Sequence, residues 1–393
     1  MYDVIASAVN HPDAIRPYRS LFNHRSLDAL ASTDTSIRVV SPRPFAPPFG
    51  PYSDYFSLPD VEDWGNYVAH HPRFLYLLPK RFFYGLSGES FSKRVPKYVE
   101  RRFEVPDVVH ACHIYLDGYG MLPYCRKYDL PLFVVSHGKL LNTFDEQPWS
   151  VQSKIRETLD EATGVLCVSD ALAEKASSLT NPSKVSTVPI GADPSKFPTE
   201  KKQEIRRELG LTEDKVVVLF VGSFVERKGM KELIELLPQL DLPNAEFAFV
   251  GHGGDMKQEL REAISRSRFS TEYLFTGVSS EMLRQWFAAA DLLLLPSHAE
   301  GRPTVIYEAM ASETAVLASD VGGVPEQVAD NETGVLLPPG DINTTKSALT
   351  SLVDDPKRLA RMGRRGHKRL VENGWTWSGH AQRVREIHTD AIR

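Results

Sequence analysis

Glu300 and Glu308 stand eight residues apart in the run LLLLPSHAEGRPTVIYEAMA, from Leu292 to Ala311. Ionised carboxylates accept hydrogen bonds and donate none, so two of them at one site suit a ligand that offers several hydroxyls. Arg227 and Lys228 are adjacent cations in GSFVERKG, from Gly222 to Gly229. Glycines let the backbone approach a ligand closely and the cations neutralise it, which suits a diphosphate. His137, between Ser136 and Gly138, can donate or accept at a sugar hydroxyl. A diphosphate together with hydroxyls describes a nucleotide sugar.

The elements that must position these groups can be read from hydrophobic pattern. Leu292 to Leu295 is a short apolar run of the kind found in a strand covered on both faces, and Pro296 stops it. From Thr304 a helical pattern begins, with Val305, Ile306, Ala309 and Met310 facing a sheet. The loop and helix start, Gly301, Arg302, Pro303, Thr304 and Val305, then offer amides to a phosphate, at the carboxyl end of a parallel strand where ligands of open α/β sheets bind. Val216 to Val221 is a second buried strand, followed by the Gly222 to Gly229 turn and a helix carrying Met230, Leu233, Ile234 and Leu237. Strands at Phe247 to Val250, Tyr273 to Phe275, Ala315 to Ala318 and Gly334 to Leu337 alternate with helices at Glu281 to Ala290 and from Thr344 and Pro356. Gly251 to Gly254 reads as a tight turn in which His252 is incidental, and Gly322, Gly323 and Pro325 read as a further amide-rich helix start.

The first half alternates in the same way. Strands are expected at Val4 to Val9, Ile37 to Val40, Val108 to His110, Pro131 to Val135, Val165 to Val168 and Lys184 to Val188. Helices are expected at Tyr18 to Ala31, Asp117 to Tyr128 and Asp170 to Ser177, the last capped by Ser169. Residues 73–103 mix aromatic and basic side chains, among them Leu77, Leu78, Phe83, Lys93, Arg94 and Arg101. They read either as an inserted helical hairpin or as an anionic membrane-surface segment. PIGADPSKF, Pro189 to Phe197, reads as an interdomain connection. The whole is a pair of doubly wound parallel sheets facing a cleft, in domains 1–190 and 191–374, followed by a segment 375–393.

The text EGRPTVIYEAMASETAVLASDVGGVPEQV, Glu300 to Val328, resembles the paired-glutamate motif of retaining glycosyltransferases of family 4, the group 1 glycosyl transferases, which have the GT-B fold. The resemblance implies that Glu300 lies near the transferred sugar, that Glu308 holds the ribose, and that His137 lies near the same sugar. It implies that Arg227 and Lys228 stabilise the leaving diphosphate, that Gly222 approaches it, and that the backbone at Val278 runs beside the base. It also implies a terminal helix that returns to the first domain. Two departures stand out. The family's first loop is glycine-rich, whereas Asn10, His11, Pro12 and Asp13 contain no glycine, with Tyr18 and Arg19 as substitutes nearby. Ser223 stands where the family often has arginine, so that Arg227 takes its place.

Bulk properties narrow the class. A 42% hydrophobic, 25% charged chain of 393 residues is that of a globular protein of two domains, and a net charge of -5 gives no reason to expect nucleic acid. Cys112, Cys125 and Cys167 form no metal or redox spacing, which points to a reducing compartment. No apolar run approaches the roughly 20 residues of a membrane span, so a cytoplasmic protein, peripheral at the membrane if it meets one, is expected. No acidic DxD-type cluster suggests a metal, and no cofactor is expected. The expected activity is hexosyl transfer from a nucleotide diphosphate sugar to a glycan or lipid-linked acceptor. The alternatives are an epimerase or phosphorylase on the same fold, or an inert binding subunit.

Overall fold

The computed structural model describes residues 1–15, 20–45, 53–76, 80–251, 253–269 and 272–393. Tyr18, Arg19, Leu77, Leu78 and His252 lie outside the described residues. In chain order the strands are β1 (Tyr2–Ser7), β2 (Thr35–Val40), β3 (Arg43–Pro44), β4 (Val61–Asp63), β5 (Val68–His70), β6 (Arg73–Phe74), β7 (Val108–Ala111) and β8 (Leu132–Ser136). They continue as β9 (Gly164–Cys167), β10 (Val185–Thr187), β11 (Val216–Val221), β12 (Ala245–Gly251), β13 (Glu272–Thr276), β14 (Leu292–Leu295), β15 (Ala315–Ser319) and β16 (Gly334–Leu337). The chain divides into two compact units, Met1–Ile190 with Trp377–Arg393, and Gly191–Thr376.

The first unit is built on an eight-stranded sheet of order β10-β9-β8-β7-β1-β2-β5-β4, parallel except for β4. Chain order reverses between β1 and β7, where Val4 pairs with Val108 and Ser7 with Ala111. Such a switch point splays the loops on either side and leaves room for a ligand at the carboxyl ends of the strands. Val4, Val39, Val108 and Leu166 are fully or almost fully buried, as expected of strands covered by helices on both faces. Ser169 caps the helix Asp170–Ser177 by accepting the Leu172 amide. The first helix runs over Leu21–Ala31 and buries Leu27 and Leu30.

Residues 73–103 are not a hairpin. After β6 they form one 23-residue helix, Lys80–Arg102, which buries Phe91, Val95 and Val99. A Cβ on Gly120 would lie 2.0 Å from the Phe91 ring, so a glycine there lets the helix Tyr119–Tyr128 seat against it. That second helix starts two residues later than its sequence pattern predicts, because Ile114–Gly118 first makes an irregular turn. The helix Trp149–Glu161, which buries Val151, Ile155 and Leu159, is an element the sequence reading passed over.

The last helix, Trp377–Ala391, belongs to this first unit and is held there by histidines. His388 contacts His110 at 3.1 Å and the Tyr2 hydroxyl at 3.0 Å, with the Phe133 ring 4.7 Å away. His380 donates through Nδ1 to the Pro189 carbonyl at 3.0 Å and meets Ser26 Oγ at 2.8 Å.

The second unit is a six-stranded parallel sheet of order β13-β12-β11-β14-β15-β16, with its switch point between β11 and β14. At the amino ends of these two strands the Asp291 carboxylate accepts from the Val217 amide at 2.8 Å, from Arg206 at 2.5 Å and from Lys202 at 2.8 Å. Those bonds fix the pairing of the central strands at the end opposite their ligand-facing loops. Trp375 packs within this unit, its ring 5.6 Å from that of Tyr307.

Burial holds the imidazoles of His110 and His380 neutral, with pKa values lowered to about 3 and about 4, and pushes that of His388 down as well. A base that protonates only in the unfolded chain subtracts stability as pH falls below the free histidine value of about 6.5. Each of His110 and His380 should therefore cost about 2 kcal/mol of stability at pH 5 relative to pH 8. The urea midpoint of the first unit should fall steeply between pH 6.5 and pH 4, and His388→Phe should flatten that dependence. An unchanged slope in the variant would separate the histidine seam from acid sensitivity.

Candidate active site

In the second unit Arg227, Lys228 and Glu300 come together at the switch point. Lys228 Nζ lies 2.5 Å from Glu300 Oε1, and Ser297 Oγ donates to the same oxygen at 2.7 Å. Arg227 donates to the Ala299 carbonyl at 2.8 Å, with the far Glu300 oxygen 4.0 Å away. Glu300 is buried, Lys228 half-buried, and Arg227 exposed with 57% of its side-chain surface open. The pair is thus shielded while a second cation stands at its edge, able to meet an anion.

Backbone chemistry explains the meeting. Gly229 has φ +73°, and a Cβ there would lie 1.9 Å from the Pro296 carbonyl oxygen. Only glycine lets the loop after β11 abut the loop after β14 in this conformation, and that contact carries Lys228 to Glu300. On the other side of Glu300, a Cβ on Gly322 (φ +54°) would lie 2.0 Å from the Glu300 carbonyl oxygen. The Gly323 amide donates to the Gly301 carbonyl at 2.9 Å. That amide, expected to face a ligand, instead braces the Glu300 loop.

The helix Thr304–Ala311 starts after Pro303, which supplies no capping side chain. Its first amides are the kind of group an anion satisfies, and Thr304 and Val305 are half-buried there. Glu308 is buried one turn further on. Arg302 differs from its neighbours. Its guanidinium hydrogen-bonds Tyr307 and Glu326 and lies 5.2 Å from the Trp375 ring centroid, so its side chain is committed to a structural cluster and its backbone is what it can offer a donor.

Gly222 lies at the end of β11, where a Cβ would make only ordinary contact with Phe220. The neighbouring loop is the tight one: a Cβ on Gly251 would lie 2.2 Å from the Gly222 oxygen. Val278 follows β13, two strands from β11 and hence about 10 Å across the sheet. The structure does not bring it to the Lys228–Glu300 pair. Ser297 was missed by sequence reasoning, and its only signal was its place three residues before Glu300.

The first unit gathers its own polar cluster at the carboxyl ends of β1, β7 and β8. His137 follows β8, its ring 4.3 Å from Phe22 and 5.6 Å from His113. Burial pushes its pKa well below the ordinary histidine range, so it is a neutral hydrogen-bonding group at pH 7. Asp117 is fully buried. Its Oδ1 accepts from Ser7 Oγ and the Val9 amide, each at 2.8 Å, and its Oδ2 accepts from His113 Nδ1 at 2.8 Å. The glycine-free first loop is anchored by His11. Its Nδ1 donates to the Pro12 carbonyl at 3.0 Å, so its Nε2 accepts from the Tyr67 hydroxyl at 2.7 Å. Among the described residues, no group of three or more His, Cys, Asp and Glu is placed to hold a metal ion.

Two doubly wound parallel sheets, one carrying a cation–carboxylate cluster at its switch point, define a nucleotide-sugar-dependent glycosyltransferase of the GT-B class. Solved structures share the fold. Sucrose-phosphate synthase from Thermosynechococcus elongatus aligns with a TM-score of 0.81 at 20% identity, covering 100% of this chain and 99% of that one. HepE of Anabaena, solved in complex with UDP, aligns at 0.73 with 18% identity, covering 99% and 100%.

The chain belongs to glycosyltransferase family 4. The family model "Glycosyltransferase Family 4" matches residues 23–196, and "Glycosyl transferases group 1" matches residues 201–369. Among relatives, the GDP-mannose-dependent alpha-(1-6)-phosphatidylinositol monomannoside mannosyltransferase of Mycolicibacterium smegmatis is 30% identical over 259 residues, 62% of this chain and 67% of that protein. The Bacillus subtilis glycosyltransferase TuaC, assigned by name to teichuronic acid biosynthesis, is 28% identical over 348 residues, 86% of each. The epimerase, phosphorylase and inert-subunit readings find no favour among these relatives.

Gly229→Ala should force both a strained φ and a clash with Pro296, lowering stability by on the order of 1–3 kcal/mol. It should also weaken nucleotide binding by separating Lys228 from Glu300. Calorimetry with and without nucleotide checks this. A variant with the melting temperature and nucleotide affinity of the parent would show that the loop contact is not what positions the pair.

Proposed function

We propose that this protein is a retaining hexosyltransferase that moves a sugar from a nucleotide diphosphate donor to a hydroxyl of a glycan or lipid-linked acceptor, without a metal ion. The observation that carries the reading is the Lys228–Glu300–Ser297 cluster beside exposed Arg227, at the switch point of the second unit. Arg227 and Lys228 neutralise the charge that grows on the departing diphosphate, the task a divalent metal performs elsewhere. The uncapped start of Thr304–Ala311 takes a phosphate oxygen, Glu308 takes the ribose hydroxyls, and Glu300 takes hydroxyls of the sugar. The backbone at Val278 runs beside the base. His137, neutral, is the first unit's hydrogen-bonding group for a sugar hydroxyl.

Diphosphate is a good leaving group and needs little protonation. No carboxylate is assigned as nucleophile; instead the C1–O bond opens toward an oxocarbenium-like state and the acceptor oxygen bonds C1 from the same face. The acceptor proton goes to an oxygen of the departing diphosphate. Retention of configuration follows from that geometry.

A panel of UDP, GDP and ADP sugars tests the donor site. A nucleotide at about 100 times its Kd should add roughly 2.7 kcal/mol and raise Tm by a few degrees. Lys228→Ala should abolish that shift and lower turnover at least a hundredfold, and chelation by EDTA should leave turnover unchanged. Full activity in Lys228→Ala would refute the assignment. Loss of turnover in EDTA would refute its metal independence.

The helix Lys80–Arg102 supports a peripheral membrane role. Its exposed side carries Phe83 and Leu86 and then Lys93, Arg94, Lys97, Arg101 and Arg102. Its acids are engaged sideways, Glu89 with Lys154 at 2.7 Å and Glu100 with Lys127 at 3.1 Å. Such a surface lies on anionic lipid, where each cation is worth about 1 kcal/mol. Among the described residues no helix is long and apolar enough to cross a membrane. Flotation with vesicles of 30% (about a third) anionic phosphatidylglycerol should recover the protein, and Lys93→Glu with Lys97→Glu should prevent it. Equal recovery of the double variant would remove the helix from any membrane contact.

A further inference from the structure

The Asp117–His113 pair is not used by the donor chemistry, yet it occupies the switch point of the first unit, between β1 and β7. Four observations set it apart from a packing contact. Asp117 is fully buried and engages Ser7, the Val9 amide and His113, tying both flanking loops together. Because a carboxylate only accepts, His113 Nδ1 carries the proton of that contact, and in the neutral tautomer this leaves the lone pair on Nε2. Among the described residues that outer nitrogen meets the Asn10 amide, at a long 3.5 Å, while 20% of the His113 side-chain surface remains open. Finally, the turn joining the two residues holds Leu116 at φ 61°, ψ -56°, a strained γ-turn conformation that a leucine rarely adopts. The fold tolerates this strain at the point that swings Asp117 back beneath His113.

We propose that His113 binds the acceptor: its Nε2 accepts a hydrogen bond from an acceptor hydroxyl, and Asp117 is the positioning residue that fixes its tautomer and aim. This rests on the transferase reading above. The reaction keeps its balance, since the C1–O bond to the diphosphate breaks, the acceptor oxygen forms the new bond, and its proton leaves on the diphosphate. His113 orients the hydroxyl and does not keep the proton. The same subsite holds a water molecule when the donor is hydrolysed in the absence of acceptor.

Two substitutions separate this role from a structural one. His113→Asn retains an amide donor near Nδ1, and so the Asp117 contact, while removing the acceptor at the ε position. His113→Gln does the reverse. Nucleoside diphosphate release from the preferred donor would be followed with water alone and with n-octyl hexosides as acceptors. His113→Asn should lose about tenfold in kcat/KM for the acceptor and in hydrolysis, with an unchanged nucleotide-induced rise in Tm, whereas His113→Gln should retain most activity. Asp117→Asn, which can place a donor against Nδ1 and move the ring proton to Nε2, should resemble His113→Asn. Any ranking other than glutamine above asparagine overturns the proposal. Absence of turnover by the parent protein with every donor and acceptor would instead overturn the transferase reading itself.

Discussion

The site in the second unit depends on one close approach, that of the Gly229 backbone to the Pro296 carbonyl. A side chain at position 229 would collide with that oxygen at 1.9 Å. Because the two loops touch, Lys228 and Glu300 form a short ion pair that neither loop would form alone. Removing one member of a shielded pair leaves the other uncompensated, which is costly, so each residue also maintains the other's geometry. Gly322 repeats the device on the far side by clearing room for the Glu300 carbonyl. The carboxylate loop is clamped by backbone contacts on both sides, a rigid support for a group that must meet particular hydroxyls.

The first unit solves its equivalent problem with side chains. Its first loop, which has no glycine, fixes Asn10 to Asp13 through His11 and the Tyr67 hydroxyl, which also meets His24 at 2.6 Å. Val9, just before that loop, is held by Asp117. Burial lowers the His11 pKa to about 3, so the anchor stays neutral and its bond to Tyr67 keeps one direction throughout the physiological range. A loop that cannot gain its shape from glycine gains it from a hydrogen-bonded ring pair.

Most strands were legible because each sits in a short apolar run with a clear stop, as Leu292–Leu295 does before Pro296, whereas the short strands β3 to β6 lie in a proline-rich stretch without such runs. The meeting of Lys228 with Glu300 was legible because family resemblance and residue chemistry point to the same positions. Three features were not. The helix Lys80–Arg102 contains Gly85, Gly88 and Pro96, residues that argue for breaks, and only packing of Phe91, Val95 and Val99 overrides them. The commitment of Arg302 to Tyr307, Glu326 and Trp375 joins residues up to 73 positions apart and has no local pattern. Asp117 falls in a stretch whose pattern reads as a helix start, so the irregular turn that makes it useful was hidden by the turn's own strain.

The two switch points differ in electrostatics, and the difference follows substrate chemistry. The second unit places two cations beside one carboxylate, an excess of positive charge suited to a diphosphate whose charge grows as the bond breaks. The first unit places at its strand ends a histidine that burial keeps uncharged, His137. Cations at such a position would attract anions in place of a neutral hydroxyl. A neutral, hydrogen-bonding surface instead favours a hydroxyl, which carries no charge until it reacts. A buried imidazole supplies the direction of a hydrogen bond without the attraction for an anion, and this is a physical reason for histidine where lysine or arginine would bind more tightly and less selectively.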